Sequence, residues 1–255
     1  MSPESALPAP TGRPAGRPAG RPRSAVLSRE RILEAAFALS DERGADFTLA
    51  ALARALGVRP SALHHYFASR EDLIAGMRGQ LTLRVGDHGF DRRPWYEAAI
   101  PWAQAYRDTL GQHPGIIAAL ATLSVDGEPE SIADYNRIAD SFRREAYPEH
   151  RIVPAIIALE SFIIGSALDA LTPDDNLRPS RDPEAARSLD AAEHAARAEA
   201  SAQGLTVAGV AFEFGLRALI AGLRTLGAST PDASTPDAST PDASAPSASA
   251  GEGEH

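Results

Sequence analysis

The sequence predicts an all-α fold between two terminal tails. Apolar residues recur at helical spacing over most of the chain, and no segment shows the strict alternation that a half-buried strand requires. Serine or threonine precedes several of these segments and glycine follows them, as expected at the first and last turns of helices. Both observations favour helices throughout the globular part of the chain.

Composition defines the two tails. Residues 1–27 repeat Gly-Arg-Pro three times, and residues 228–255 repeat Ala-Ser-Thr-Pro-Asp three times before a degenerate copy. Because frequent proline opposes both helix and sheet, we predict that these tails are disordered. Between them we assign residues 28–74 and 75–227 to two successive helical domains.

Composition also excludes several classes of protein. The 255 residues include no Cys, which rules out disulfides, zinc-cysteine sites and thiol catalysis. The sequence contains no run of roughly 18 apolar residues, so no membrane span is predicted. The N-terminus lacks the apolar centre of a secretory signal. We therefore expect a cytoplasmic protein with no membrane partner.

The charge distribution suits a protein that contacts DNA with one end. The net charge is −9, but residues 1–80 hold 11 Arg against 8 acidic residues, a balance of +3. Residues 81–255 hold 14 Arg against 26 acidic residues, a balance of −12. The basic N-terminal part attracts phosphate, and the acidic C-terminal part does not prevent that contact.

Each of the first two helices has a predicted capping residue before it and a glycine after it. Ser28 is expected to cap a helix that runs to about Arg43, with Gly44 after it. Thr48 is expected to cap a second, short helix that ends at Gly57.

Two further helices follow in the first domain. Pro60 suits the first turn of a third helix, over residues 61–67. Ser69 can cap a fourth helix from Arg70, which carries acidic residues in its first turn, where the helix dipole favours them.

The stretch from Thr48 to Phe67 therefore predicts a helix, a turn and a helix. Gly57 can adopt the left-handed conformation that a tight interhelical turn needs. A helix of this width fits the major groove, where side chains read base edges. From spacing alone, an ordinary helical hairpin remains the alternative. The side chains left for solvent or a groove are Arg59, Ser61, Ala62, His64, His65 and Tyr66.

Five more helices are predicted in the second domain, over residues 94–111, 114–124, 129–146, 152–171 and 205–226. The acidic, Ala-rich residues 172–203 are interpreted as a loop with at most one loose helix. The helices at 152–171 and 205–226 are apolar on more than one face, so they need cover on more than one face. A partner subunit can supply it, and we predict a homodimer.

Residues 28–80 contain a set of motif residues at regular positions, namely Arg31-Ile-Leu-Glu-Ala-Ala-Phe37, Gly44, Phe47-Thr48, Leu52-Ala53, Leu56-Gly57-Val58, Leu63, Tyr66-Phe67 and Arg70-Glu71-Asp72-Leu73. With these residues at these spacings, this segment resembles the DNA-binding domain of the tetracycline-repressor (TetR) family of regulators. This resemblance implies an operator-binding protein with a helical ligand-binding and dimerisation domain. It implies base contacts from the recognition helix and phosphate contacts from residues around it. The implied base-contacting residues are Pro60, Ser61, Ala62, His64 and His65, and the implied phosphate-contacting residues are Thr48, Tyr66 and Arg70.

Arg59 departs from the family pattern, because it replaces the small polar cap usual before the recognition helix. It can reach a guanine edge or a phosphate. Residues 212–223 resemble the last dimerisation helix of the tetracycline-repressor class itself. In an ungapped placement the metal-binding histidine of that class falls at Ala119 and its carboxylate near Asp169. Since alanine cannot ligate, we predict no metal, no cofactor and no magnesium-tetracycline.

The second domain is expected to bind a small, mostly apolar or aromatic effector. The region from residue 94 to residue 171 offers far more apolar than charged side chains for a cavity. As alternatives, the aromatic residues belong to the ordinary core and His113 is a helix-end histidine. The candidate ligand-binding residues are Trp102, Tyr106, His113, Leu120, Asn136, Phe162 and Asp169.

The leading functional prediction is a repressor that a small molecule releases from a palindromic operator. Two DNA-binding alternatives are an activator and an architectural protein whose Gly-Arg-Pro repeats, which resemble AT-hook cores, enter the minor groove. The third alternative, a helical enzyme, lacks any clustered catalytic set in the sequence, so we predict no enzymatic activity and no catalytic residue.

Overall fold

The computed structural model describes residues 27–44, 46–120, 122, 128–173 and 185–228. Within those ranges the chain forms helices, turns and loops and has no strand, which confirms the all-α prediction. The predictions for the two tails concern residues that lie almost entirely outside these ranges.

Ten α-helices and one 3₁₀ turn are present in these ranges, and their bounds follow in chain order. They are α1 Arg29–Arg43, α2 Leu49–Leu56, α3 Pro60–Leu63, α4 Arg70–Val85, α5 Trp95–Gly111, the 3₁₀ turn Pro114–Ile116, α6 Ile117–Leu120, α7 Pro129–Arg144, α8 Glu149–Asp169, α9 Arg187–Gln203 and α10 Val207–Ala228.

The predicted caps of the first helices are confirmed. At the start of α1 the Ser28 hydroxyl accepts a hydrogen bond from the Arg31 amide at 3.2 Å. At the start of α2 the Thr48 hydroxyl accepts one from the Ala51 amide at 3.1 Å. Ser69 does the same for α4, accepting from the Asp72 amide at 3.1 Å. Gly57 ends α2 in the left-handed conformation, at φ 67° and ψ 30°.

Among the described residues, the first compact unit comprises those up to Gly86 and those from Tyr106 to Asp134. It therefore unites helices α1 to α4 with the end of α5, the 3₁₀ turn, α6 and the start of α7. Its core is apolar and fully buried, so the hydrophobic effect holds these elements together. The largest buried side chains are Ile32, Phe37, Leu52, Leu63, Phe67, Leu73, Ile74 and Met77.

Within this unit, the 3₁₀ turn lies directly against the backbone of α1. A Cβ added at Gly115 would lie 2.5 Å from the carbonyl carbon of Ser40 and closer still to the carbonyl oxygen. Ser40 is fully buried there, and its hydroxyl donates to the Phe37 carbonyl at 2.8 Å. Only glycine allows the two backbones to approach this closely.

The second compact unit comprises the described residues from Asp87 to Ala105 and from Tyr135 to Ala228, and aromatic rings fill much of its core. Trp95 of α5 stacks on Phe142 of α7, with ring centroids 4.3 Å apart and planes inclined by 13°. Tyr147 contacts both rings edge-on, at 5.7 and 4.9 Å. Such pairs add to the stability that burial provides, and they fix helices α5 and α7 against each other in this unit.

Helices α8 and α10 pack together and leave an apolar face uncovered. Their contact includes Phe162 and Phe212, whose rings stack at 5.7 Å. Val153 and Ile157 of α8 are 62% and 56% exposed, and Phe214 of α10 is 76% exposed. By length and composition alone α8 could cross a membrane, although an apolar helix of a soluble protein meets the same criterion. We name the set Val153, Ile157, Leu168 and Phe214 the open apolar face.

Two predicted elements need correction. The third helix ends at Leu63 and does not continue to Phe67, because the Tyr66 and Phe67 amides both donate to the Leu63 carbonyl and close a tight turn. Residues 187–203, predicted to be a loop with at most one loose helix, form the regular 17-residue helix α9. Its high alanine content favours helix strongly.

Candidate functional site

The helix-turn-helix is held by a small buried contact between its two helices. Leu52 and Ala53 of α2 and Leu63 of α3 are completely buried. The Val58 amide donates to the Ala53 carbonyl at 3.0 Å, which closes the turn after Gly57. These contacts fix the orientation of α3 and the turn that follows it.

A continuous row of exposed side chains results from that orientation. Arg59 begins α3 without a side-chain capping bond, and its guanidinium is exposed. Pro60 occupies the first helical position, where its missing amide hydrogen costs nothing. We call the following set the reading row: Arg59, Pro60, Ser61, His64, His65 and Tyr66, all exposed, with half-buried Ala62 between them.

Tyr66 also has a structural contact. Its hydroxyl donates to the Leu27 carbonyl at 2.7 Å. Arg29 lies over the Phe67 ring at 4.4 Å and donates to the Tyr66 carbonyl at 3.3 Å. Through these bonds the chain at the start of α1 braces the end of the recognition turn. A phosphate contact by the Tyr66 hydroxyl would use its remaining hydrogen-bonding capacity.

Arg70 is engaged within the protein. Its Nε donates to the Phe47 carbonyl at 3.3 Å, and its guanidinium lies 3.9 Å from the Asp46 carboxylate. Arg70 therefore ties the start of α4 to the chain before α2. Its predicted phosphate contact remains a prediction, but a substitution at Arg70 would also loosen the frame of the helix-turn-helix.

His113 joins three elements of the first unit. Its Nδ1 lies 2.9 Å from the Asp41 carboxylate, and its Nε2 lies 2.7 Å from Nη1 of Arg84. Because a guanidinium can only donate, Nε2 is the acceptor and the proton is on Nδ1, bonded to Asp41. The ring also lies on Phe37, with centroids 4.4 Å apart. Arg84 in turn bonds the Glu34 carboxylate.

We expect His113→Ala to lower the free energy of unfolding by about 2 kcal/mol, because it removes two hydrogen bonds and a ring contact. The change can be measured by urea unfolding of the full chain. His150→Ala, at an exposed histidine near the start of α8, is the matched control and should change stability little. Equal changes in the two variants would contradict a bracing role for His113.

A buried carboxyl group joins α4 to the start of α7 in the same unit. Glu128 is almost fully buried, and its Oε2 accepts from the Ser131 amide at 2.6 Å. Burial raises the pKa of Glu128, and the adjacent Glu130 carboxylate raises it further. The close approach of Glu128 to Gly79 leaves no room for a side chain at that position of α4.

The seven candidate ligand-binding residues are divided between the two compact units. Tyr106, His113 and Leu120 belong to the first compact unit, and the other four belong to the second. Trp102 is buried and packs edge-on against Phe90, whereas Asn136 is exposed and bonds Asp140 at 3.3 Å. The remaining two, Phe162 and Asp169, line one shallow cavity between α8 and α10.

Asp169 also lines a second, deeper cavity within the second unit. This cavity has a volume of about 430 Å³ and lies among the end of α8, the middle of α9 and the start of α10. We call it the α9 cavity. The sequence could not place it, because we interpreted its α9 wall as a loop. The recurrence of Leu189, Ala192 and Ala196 at helical spacing, with Gly204 as the stop, was the available signal.

A capped helix-turn-helix with an exposed reading row, followed by helices that leave an apolar face open, defines the class of helix-turn-helix DNA-binding regulators. Two family models match the chain. One, described as bacterial regulatory proteins of the tetR family, matches residues 32–77. The other, the tetracyclin repressor-like C-terminal domain, matches residues 91–226. The chain therefore belongs to the TetR family of transcriptional regulators, as the motif resemblance predicted. This is a family of DNA-binding proteins and not a class of enzymes.

A curated relative and several solved structures agree with this assignment. An uncharacterised HTH-type transcriptional regulator of Mycobacterium tuberculosis is 35% identical over 120 residues, which cover 44% of this chain and 53% of that protein. The chain thus spans about half the length of this relative. A possible TetR family regulator from Streptomyces coelicolor is 26% identical with a TM-score of 0.64, over 78% of this chain and 100% of that one.

Two ligand-bound structures share the fold at lower identity. ActR from Streptomyces coelicolor in complex with actinorhodin is 19% identical with a TM-score of 0.63, over 80% of this chain and all of that one. A TetR variant from Acinetobacter baumannii in complex with minocycline is 22% identical with a TM-score of 0.56, over the same shares.

Proposed function

We propose that this chain is a cytoplasmic, homodimeric repressor that binds a palindromic operator and is released by a small, mostly apolar effector. Residues 28–74 supply the DNA-reading function, and residues 75–227 supply the effector and dimer functions. The observation that carries the proposal is the reading row, which presents a cation, a hydroxyl and two imidazoles on one rigid, capped helix-turn-helix.

The reading row has the chemistry of base-edge recognition. Ser61, His64 and His65 can donate to or accept from base edges, and the Arg59 guanidinium can bind a guanine bidentately or pair with a phosphate. Pro60 and Ala62 are small or apolar, which suits contact with a thymine methyl group. Thr48, which caps α2, places a hydroxyl at a helix start, where phosphate is favoured.

The direct test is selection of bound sequences from random double-stranded DNA by the full chain. We expect a palindrome whose half-sites lie about one helical turn apart, because two-fold symmetry in the protein requires it in the DNA. Recovery of sequences without a repeated half-site would contradict a dimeric operator-binding mode.

His65→Ala and Ser61→Ala should each weaken binding to the selected operator by about tenfold and relax the base preference at one position of each half-site. Arg54→Ala is a control at an exposed position of α2 outside the reading row. Affinity for selected and scrambled DNA can be measured by fluorescence anisotropy at fixed salt. Equal losses on both DNAs would show that these residues contact phosphate or support the fold.

The open apolar face supports the dimer. Its side chains come from both α8 and α10, and a single chain leaves Val153, Ile157 and Phe214 more than half exposed. Isologous pairing of α8 and α10 with their symmetry mates would bury this face as a four-helix bundle. The symmetric arrangement would also fix the spacing between the two reading rows.

Effector release needs a ligand that binds two conformations of the dimer with different affinity. The α9 cavity is within the usual size range of small-molecule sites, and most of its wall is apolar. ActR and the TetR variant, which share the fold, bind actinorhodin and minocycline respectively. These facts support a small organic effector for this chain, and they favour ligand-controlled regulation over architectural DNA binding.

The release step is tested by adding small apolar compounds to the operator complex of the full chain. A loss of anisotropy that tracks thermal stabilisation of the free protein would support release. Release by a divalent metal ion alone, without a response to any organic compound, would contradict this part of the proposal.

A further inference from the structure

We propose that the α9 cavity binds an organic cation, a molecule with a positively charged nitrogen on an apolar body. That this cation acts as an effector rests on the proposed function, whereas its binding to the cavity does not. Two properties of the cavity lead to this class of ligand, namely its apolar wall and the sign of its charged groups.

Apolar residues from three helices form most of the wall. α9 contributes Leu189, Ala192 and Ala196, and the first turns of α10 contribute Val207, Ala208 and Ala211. The many alanines explain why a cavity remains, since their short side chains leave space between helices that larger residues would fill. A volume of about 430 Å³ accommodates a ligand of one or two fused rings.

The charged groups in the wall are both acidic. Asp169 lies at the last residue of α8, and Glu193 lies in the middle of α9 with only 8% of its surface exposed. Among the described residues that line the cavity there is no arginine or histidine. A carboxylate beside an apolar surface attracts a cation and repels an anion, and water screens this attraction less at buried Glu193 than at exposed Asp169.

The charged side chains near Glu193 do not reverse the negative charge of the cavity wall. Arg197, one turn further along α9, donates to Oε1 of Glu193 from Nε at 2.9 Å and also from Nη2. His194 lies 3.8 Å from the second carboxylate oxygen, and its side chain is 61% exposed. Neither side chain lines the cavity. Even with Arg197 counted against Glu193, the carboxylate of Asp169 leaves an excess of one negative charge.

Three probes of nearly the same shape distinguish the contribution of charge to binding from that of apolar contact. They are 1-naphthylmethylamine, 1-naphthylmethanol and 1-naphthoate, which are respectively cationic, neutral and anionic at neutral pH. Calorimetry on the full chain should show the amine binding about tenfold or more tightly than the alcohol, and the acid binding more weakly than both.

Substitutions locate the site. Glu193→Gln and Asp169→Asn should each weaken binding of the amine by about tenfold and leave binding of the alcohol nearly unchanged. Glu199→Gln is the matched control, since Glu199 is exposed on the same helix and bonds Gln203. Ala208→Phe, which fills the cavity from α10, should abolish binding of all three probes. Thermal unfolding of each variant checks that it is folded.

Several results would overturn the proposal. Among them are equal binding of amine and alcohol, an unchanged amine affinity in both carboxylate variants, and no binding of the amine at about 1 mM, which is weaker than a specific site requires. Operator release is measured separately. If the amine binds without releasing operator DNA, the cation site stands and its effector role is wrong. If the full chain selects no operator, the proposed function fails whatever the calorimetry shows.

Discussion

Replacing Gly115 with alanine should destabilise the protein by about 3 kcal/mol, at the upper end of the usual cost of overpacking a core. A Cβ at this position would lie 2.5 Å from the Ser40 carbonyl carbon and 3.0 Å from the Asp41 amide nitrogen. These are backbone atoms of the last turn of α1, so they cannot move aside as a flexible side chain can. For a chain of this size the melting temperature should fall by roughly 10 °C.

The loss should extend to DNA binding. The 3₁₀ turn that contains Gly115 belongs to the same compact unit as the helix-turn-helix, and α1 contributes Ile32, Phe37 and Ser40 to its buried core. A shift of α1 would disturb Leu27 and Arg29, which brace Tyr66 at the end of the reading row. We therefore expect weaker binding of the selected operator even below the melting temperature.

Gly111→Ala provides the matched control for Gly115→Ala. Gly111 is the last residue of α5, and a Cβ there meets nothing within 4 Å. Because alanine favours helix over glycine by up to about 1 kcal/mol, this variant should be as stable as the original or slightly more stable. Similar melting temperatures for the two variants would contradict the close backbone contact between the 3₁₀ turn and α1.

Local signals in the sequence were sufficient to predict the caps and the turn of the helix-turn-helix. Ser28, Thr48 and Ser69 are caps, and Gly57 is a left-handed stop, because the chemistry that ends a helix involves only residues a few positions apart. The same logic failed at the end of α3. The turn after Leu63 depends on how Tyr66 and Phe67 are held by α1, and those contacts join residues far apart in sequence.

The contacts of His113 could not be predicted from sequence spacing for a related reason. His113 is a candidate ligand-binding residue by its place in the sequence, and its two ring nitrogens face Asp41 and Arg84, which are 72 and 29 residues away. The α9 cavity depends on three helices meeting. Its alanine-rich wall lacks the bulky apolar residues that make a helix conspicuous in sequence.

The glycines of α10 show how packing decides a residue's role. Because glycine has no side chain, Gly215 and Gly222 could each allow another backbone to approach α10. A Cβ at Gly215 would lie 2.7 Å from the Phe162 ring of the same chain, so this glycine serves the packing of α8 on α10. A Cβ at Gly222 would meet nothing within 4 Å, which leaves that position available to a partner subunit.

The proposed dimer gives the second large effect. Phe214→Asp should raise the dimer dissociation constant by about 1,000-fold, since the loss of an aromatic anchor costs about 2 kcal/mol and occurs twice in a two-fold interface. Phe214 is 76% exposed in the single chain, so the substitution removes little packing within the subunit. An aspartate there would bring a charge into the apolar centre of the helix pair, where it lacks a partner.

Sedimentation of Phe214→Asp at micromolar concentration should therefore show a monomer, and binding to the palindromic operator should fall steeply because each half-site is then bound alone. Leu83→Asp is the matched control, since Leu83 of α4 is 62% exposed and lies outside the open apolar face. It should stay dimeric and keep its melting temperature. If Phe214→Asp also sediments as a dimer, the subunits pair through another surface. Dissociation by Leu83→Asp would point to α4 as part of that surface.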